Sequence, residues 1–501
     1  MTLTRRHLMA GTGAAALGTV QWSKPGRAAA PGDAALTGAF DDIAAAILND
    51  EPETATFLGL DKGVRAGLKA RLSDQSWAHV GSDHARCQSW LARLKQVPAA
   101  GLSPDAALNK QVVEAALQLG AGGGSFAFGQ NTLQASQTES VTPYVVNQMM
   151  GSFVTVPEML DSQHGIADKA DAQAYLSRME AFAGALDGES ARVDRDAGQG
   201  VVAPDFILSN AIGQMENFLK VAPGRQRLVS SLVRRAGAAG IAGDWAQQAT
   251  QITHDKVYPA VTRQLAALKR AAAGANADAG VWKLPRGDAY YGWALEVGTT
   301  TTMSAGEVHD TGLEQNARIE ARMDALLKKQ GLTKGSVGAR MDALARDKRF
   351  VFPETDAGRG QIVTYLNELI AQTRKRMPQL SALKLKAPVV VKRVPPDIQD
   401  GAPLGYMNPG ALDGSRPAIY YINLKTNANW PRYSLPTLTH HETIPGHAWQ
   451  GAYVTETGKL PLIRVILSGF NAYVEGWALY AEQLTDEIGM YKDDPFGQLG
   501  Y

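Results

Sequence analysis

Apolar residues recur at helical spacing through most of the chain between residues 33 and 275. In one segment these residues fall where they line a single helix face. Asp171 stands just before this segment and is a candidate N-cap. The face consists of Tyr175, Leu176, Met179, Phe182, Ala183 and Leu186. The pattern predicts a largely helical N-terminal region.

A segment rich in small residues, 271–280, predicts a linker between this helical region, 31–275, and a second region, 276–501. The second region contains another amphipathic helix. That helix should end at Gly331, with two lysines in its last turn that complement the helix dipole. Its apolar positions are Val308, Leu313, Ala317, Ile319, Met323 and Leu326.

Strand character is concentrated late in the chain. Residues 388–394 and 418–424 are rich in β-branched and aromatic side chains, which predicts two strands. The intervening residues 400–416 are rich in Gly, Pro and Asp, which is typical of a long turn. The sequence therefore predicts a mainly α fold with a small β-sheet just before the candidate chemistry.

Composition excludes several classes of function. The 501 residues are 45% hydrophobic and 20% charged, with a formal net charge of +1. Basic residues are scattered rather than gathered in a patch, so we expect no nucleic-acid partner. Cys87 is the sole cysteine, which excludes an intrachain disulfide and a cysteine-based zinc cluster. Nothing in the sequence indicates an oligomeric state.

The first thirty residues are typical of an export signal. Arg5 and Arg6 precede a short apolar run at 9–20, and three alanines follow at 28–30. This order is that of a signal peptide, and the paired arginines favour the twin-arginine route. The apolar run is too short and too glycine-rich to span a bilayer. We therefore expect a periplasmic or secreted protein without stable membrane insertion.

The candidate chemistry lies around residues 438–447, which hold three of the nine histidines. Hydrolytic zinc needs neutral imidazoles, usually one carboxylate, and an open position for water. A further carboxylate takes the proton of that water. His441 and Glu442 match the first ligand and the base of the common H-E-x-x-H pattern, but Pro445 stands where the second histidine belongs.

The spacing of His447 requires a break in the helix. In a regular helix it would lie about 240° round from His441. Pro445 cannot donate to the carbonyl of His441 and its ring clashes there, so the helix must open or break. Gly446 tolerates the resulting backbone, and the break can bring His447 back towards His441. His440 shares a face with His447 in an unbroken helix and is an alternative ligand, although the neighbouring base favours His441.

A helical pattern at 473–482 carries two acids. Glu475 and Glu482 are seven residues apart and face the same side of the helix. One can bind zinc while the other forms a hydrogen bond with a metal-binding residue and orients it. Their spacing does not distinguish the two roles. The small neighbour Gly476 lets the helix approach a metal closely. This favours Glu475 as the metal ligand and Glu482 as the residue that orients a ligand by a hydrogen bond.

Residues 441–447 and 475–482 match H-E-x-x-P-G-H and E-G-W-A-x-Y-x-E, the motifs of the bacterial domain-of-unknown-function 885 family. The chain resembles that family over about residues 38–501. The resemblance implies a large helical zincin-like metallopeptidase fold, similar to the thimet oligopeptidase and angiotensin-converting-enzyme types, with a small sheet beside the active-site helix. The residues it implies for the site are the ligands His441, His447 and Glu475, with Glu442 as the base.

The same resemblance implies how a substrate is held. In such enzymes an edge strand before the metal helix binds the substrate backbone, and residues 419–423 occupy that place. Tyr421 and Asn423 are therefore candidate substrate-binding residues. Family members continue past the position of Tyr501, so we expect this chain to be truncated at its C-terminus.

These observations predict Zn²⁺-dependent hydrolysis of peptide bonds, with a peptide or small amide as the substrate. Two alternatives stay open. One is the hydrolysis of another amide substrate. The other is a metal- or peptide-binding protein with impaired catalysis, because the expected C-terminal helices would help to enclose the cleft.

Overall fold

The computed structural model describes residues 31–131, 141–396, 398–467 and 469–501. The predicted export signal, residues 1–30, lies outside the described residues.

The fold is mainly helical, as predicted. The α-helices in chain order are α1 (Pro31–Asp50), α2 (Pro52–Phe57), α3 (Trp77–Lys95), α4 (Pro104–Gly123), α5 (Ser152–Ser162), α6 (Lys169–Ala197), α7 (Asp205–Lys220), α8 (Arg227–Ala238), α9 (Trp245–Ile252), α10 (Tyr258–Ala272), α11 (Gly287–Thr299), α12 (Ala305–Lys329), α13 (Val337–Ala345), α14 (Asp356–Arg376), α15 (Leu435–Glu442), α16 (His447–Thr457), α17 (Leu462–Ile466), α18 (Asn471–Glu487) and α19 (Pro495–Gly500). Within these ranges, no helix combines the length and the apolar character that crossing a membrane requires.

Helix α6 contains the predicted apolar face but begins earlier than its predicted cap. The side chain of Asp168 accepts a hydrogen bond from the backbone N–H of Asp171, so Asp168 is the N-cap and Asp171 belongs to the first turn. The carboxylate of Asp171 binds Lys69 at 2.6 Å instead. The apolar face packs against α5, α8 and α10 in a large hydrophobic core.

Helix α12 confirms the second predicted helix but leaves most of its apolar positions uncovered. Ser304 caps its N-terminus, and Gly331 follows its end with a φ of 78°. Leu327 is its one buried residue. Leu313 and Ile319 are 57% and 52% exposed, so helical spacing alone did not predict burial here.

The sheet has three strands, β1 (Val389–Arg393), β2 (Gly405–Asn408) and β3 (Ala418–Ile422). Strand β3 is central, parallel to β1 on one side and antiparallel to β2 on the other. The two predicted strands are confirmed, whereas β2 lies within the segment predicted as a turn. Side chains of β3 pack against α14 and α15, which fixes α15 on one face of the sheet.

A second hydrophobic cluster joins the two ends of the sequence. Leu36 and Ile43 of α1 share it with Ile466 of α17 and with Phe470, which precedes α18. The predicted N-terminal and C-terminal regions therefore contribute to one core. Their division at residue 275 stays a prediction.

Candidate metal centre

The H-E-x-x-P-G-H segment is folded as two helices separated by a tight break. Helix α15 ends at Glu442, and α16 begins at His447. Between them the peptide bond before Pro445 is cis. A Cβ on Gly446 would lie 1.9 Å from the carbonyl oxygen of His441, so only glycine fits there. The predicted break is confirmed.

The break brings His441 and His447 together. Their ring centroids lie 4.7 Å apart and the rings are nearly perpendicular. Glu475 of α18 reaches both, with Oε2 3.2 Å from Nε2 of His441 and Oε1 3.5 Å from Nε2 of His447. One ligand atom from each of the three residues lies within 4.8 Å of the others.

Glu482 contacts the opposite side of the His441 ring. Its Oε1 lies 2.9 Å from Nδ1 of His441. Burial lowers the pKa of His441, but hydrogen bonds with Glu475 and Glu482 outweigh it and raise this pKa to about 10. Hydrogen bonds with His441 and His447 hold the pKa of the Glu475 carboxyl far below its usual value.

Glu442, the predicted base, is buried at the end of α15 and is not among the three clustered residues. The Glu442 carboxylate lies close enough to His441 to contribute to its raised pKa. Burial first, and then the same carboxylate, raise the pKa of Tyr420 on β3 well above its usual value. Glu442 therefore lies next to His441 and near enough to Tyr420 of β3 to act on its pKa.

His440, the alternative ligand, lies elsewhere. It is 1% exposed, and its Nδ1 is 3.0 Å from the hydroxyl of Tyr491. Burial lowers the pKa of His440 to about 3, so its ring is neutral. Among the described residues, the cluster contains His441 and not His440.

The expectation that residues 419–423 form an edge strand is wrong. Strand β3 has a neighbour on each side, so its backbone groups are already paired within the sheet. The hydroxyl of Tyr421 donates to Glu158 at 2.8 Å, and Nδ2 of Asn423 donates to the carbonyl of Gln399 at 2.7 Å. Both side chains are buried and hold the sheet to its surroundings.

The clustered residues fit a zinc ion. Two imidazoles and one carboxylate are a donor set of catalytic zinc sites. The observed nitrogen-to-carboxylate distances of 3.2 and 3.5 Å are close to the spacing of about 3.3 Å between donors with ~2.0 Å bonds around a tetrahedral ion. The side chain of Glu475 is 46% exposed, so the cluster is open on one side.

Three residues around the cluster were not predicted from the sequence. Thr437 donates a hydrogen bond to Glu482, Tyr491 contacts His440, and Trp477 donates to the break between α15 and α16. Thr437 precedes His441 by one helical turn, a spacing that could have indicated it. Tyr491 follows α18, and no sequence spacing pointed to it.

Comparison with known proteins assigns the chain to a family. The profile of the family described as "Bacterial protein of unknown function (DUF885)" matches residues 52–501. The chain belongs to this family. A comparison of the DUF885 protein with curated proteins found no match.

Two solved structures resemble this DUF885 protein. The crystal structure of the "putative lipoprotein" from Colwellia psychrerythraea has a TM-score of 0.87 and 29% identity, and the match covers 94% of this chain and 80% of that chain. A "putative lipoprotein of unknown function" from Shewanella oneidensis has a TM-score of 0.58 and 17% identity, with coverage of 94% and 80%. The second likeness concerns the fold alone.

Proposed function

We propose that this protein is a zinc-dependent peptidase that hydrolyses peptide bonds with a metal-activated water. The convergence of His441, His447 and Glu475 carries the proposal, because their ligand atoms lie within 4.8 Å of one another. Two imidazoles and one carboxylate are also the donor set that catalytic zinc sites use. The zincin-like character of the fold is part of the same proposal.

Each residue around the cluster has a distinct role. Zinc, when bound, acts as a Lewis acid that lowers the pKa of a water to about 7 and polarises the substrate carbonyl. The Glu442 carboxylate accepts the proton of the attacking water and returns it to the leaving amine. With a metal in place, Glu482 would accept the Nδ1–H of His441 and so fix the tautomer whose Nε2 binds the ion.

The substrate is a peptide or small amide met outside the cytoplasm. Arg5 and Arg6 before an apolar run support export by the twin-arginine route. The description of the similar structure from Colwellia psychrerythraea names a lipoprotein, which is a class of exported protein. Fractionation of cells that express the full chain, with and without Arg5→Lys and Arg6→Lys together, tests the export route.

The function is tested by metal analysis combined with a broad peptide library. Purified protein should hold about one zinc per chain and cleave library peptides. A chelator should abolish the cleavage and added zinc should restore it. Zinc binding without any hydrolysis would favour the metal-binding alternative, and cleavage of non-peptide amides alone would favour the other hydrolase. Absence of both zinc and cleavage contradicts the proposal.

A further inference from the structure

Glu482 joins two consecutive turns of α15. Its Oε1 lies 2.9 Å from Nδ1 of His441, and its Oε2 accepts a hydrogen bond from Oγ1 of Thr437. Thr437 and His441 are four residues apart, so both point from the same face of α15 towards α18. The side chain of Glu482 is only 12% exposed. The carboxylate therefore accepts hydrogen bonds from two protein donors. Because it is largely buried, water cannot readily take the place of either donor.

The hydroxyl of Thr437 behaves differently from the other threonine hydroxyls of this segment. A helical threonine usually returns its hydroxyl to the carbonyl one turn earlier. Thr439 and Thr443 do so, with bonds to the carbonyls of Leu435 and Thr439. Thr437 instead directs its hydroxyl out of α15 to a carboxylate on another helix. The bond therefore links two helices and does not serve the helix itself.

The hydrogen bond at Oε2 of Glu482 restricts the orientation of Oε1. A carboxylate held at one oxygen only can rotate about its terminal bond, which is a soft torsion. With Oε2 fixed by Thr437, Oε1 stays directed at Nδ1 of His441. A hydrogen bond at Nδ1 in turn selects the tautomer whose Nε2 can bind a metal.

We propose that Thr437 is a positioning residue of the metal centre, which holds Glu482 in the orientation that presents Nε2 of His441 to a metal ion. The inference rests on the proposed function, because it assumes that His441 binds zinc. Thr437 itself touches neither the metal nor a substrate. Thr437 also hydrogen-bonds Tyr491, but in this proposal its effect reaches the metal through Glu482.

Zinc affinity, measured by competition with a chelator, is the readout, and it does not depend on turnover. Thr437→Val removes the hydroxyl and keeps the shape, and should weaken zinc binding about ten-fold. Thr437→Ser restores the donor and should bind zinc like the wild type. Thr439→Val is the matched control, because the same change on the same helix removes a hydroxyl that bonds to the carbonyl of Leu435 and to Tyr420 instead of Glu482. Thr437→Ala replaces Thr437→Val if the valine does not fold.

A double-variant cycle separates positioning from a general effect on the fold. If Thr437 acts through Glu482, Thr437→Val should cause no further loss of affinity in a Glu482→Ala protein. A loss of the same size in both backgrounds overturns the proposal, as does a folded Thr437→Val protein with wild-type affinity. A wild-type protein that binds no zinc would instead remove the proposed metal centre, and the role of Thr437 with it.

Discussion

The indole Nε1 of Trp477 donates a hydrogen bond of 2.9 Å to the carbonyl oxygen of Pro445. Trp477 lies on α18, two residues after Glu475, and Pro445 lies in the break that precedes His447. The ring also packs against the apolar cluster that contains Ile444. One side chain therefore ties the helix of the carboxylate to the break that places the second histidine.

This contact predicts a loss of stability in Trp477→Phe. The phenylalanine keeps an aromatic ring but removes the donor, so the carbonyl of Pro445 loses its partner. The free energy of unfolding should fall by about 1 kcal/mol, the usual net contribution of a hydrogen bond. Urea denaturation measures it. Trp282→Phe, at a ring that is 72% exposed, should leave stability unchanged. Equal stability of wild type and Trp477→Phe would show that this bond contributes nothing.

The ligand assignment predicts that His441→Ala or His447→Ala abolishes stoichiometric zinc binding. Each change removes one of the three donors, and the remaining two cannot retain the ion. Elemental analysis of the dialysed protein measures the loss from about one zinc per chain. His254→Ala, at a side chain that is 70% exposed, is the control and should keep its zinc. Full retention of zinc in the His447→Ala protein would return His440 to consideration.

Glu442→Gln should keep zinc and lose hydrolysis. The amide has nearly the shape of the carboxylate but cannot accept the proton of the water, so the rate should fall about a hundred-fold or more. Peptide cleavage and metal content are measured on the same preparation. Glu368→Gln, at an exposed acid of α14, should leave both unchanged. Cleavage near the wild-type rate in Glu442→Gln would assign the base elsewhere.

The two acids of α18 should differ in their effect on the metal. Glu475→Ala removes a donor and should abolish zinc binding. Glu482→Ala removes only the acceptor behind His441, so binding should weaken roughly ten- to hundred-fold and persist. A competition titration of both variants gives the order. The reverse order would exchange the two roles.

The stability of the protein should fall in mild acid because of His164. Burial, and then the charge of Arg178, lower the pKa of His164 from its usual 6.5 to about 3. Between these two pH values the unfolded chain binds a proton at this ring and the folded protein does not. The free energy of unfolding therefore decreases as the pH falls below about 6.5, by at most about 1.4 kcal/mol per pH unit.

Denaturation of the wild type and of His164→Gln at several pH values tests this dependence. Glutamine keeps a donor and an acceptor but does not titrate, so its stability should vary less between pH 6.5 and pH 3. His309→Gln, on the exposed α12, should keep the wild-type dependence. An unchanged slope in His164→Gln would exclude this ring as a cause.

The sequence predicted the site better than the surroundings of the site. The break at Pro445 follows from a missing donor and a clash, which are local properties, and the structure has it where the sequence predicts it. The neighbouring Glu442 favoured His441 over His440 from the sequence, but the orientation of the two rings needed the structure, because it depends on how α15 packs. His440 points to Tyr491, a residue that no spacing connects with it.

The sheet shows where local patterns are insufficient. Strand β2 has four residues in a segment rich in Gly and Pro, a composition that does not favour a strand. Its pairing with β3 supplies the backbone hydrogen bonds that stabilise it. The family resemblance implied an edge strand at 419–423, and the pairing of β2 with β3 contradicts it. Local patterns are also insufficient for helices, because Leu313 and Ile319 are exposed. Helical periodicity predicts an apolar face, but it does not predict whether another element covers that face.

The core shared by α1 and α17 also has a consequence during synthesis. Helix α1 leaves the ribosome long before part of its partner surface, which includes Ile466 and Phe470. Until then its apolar side chains, such as Ile43, are incompletely covered. Contacts between distant parts of a chain close slowly, and an uncovered apolar helix invites aggregation. The nascent chain should therefore need chaperone protection until residue 470 has been translated.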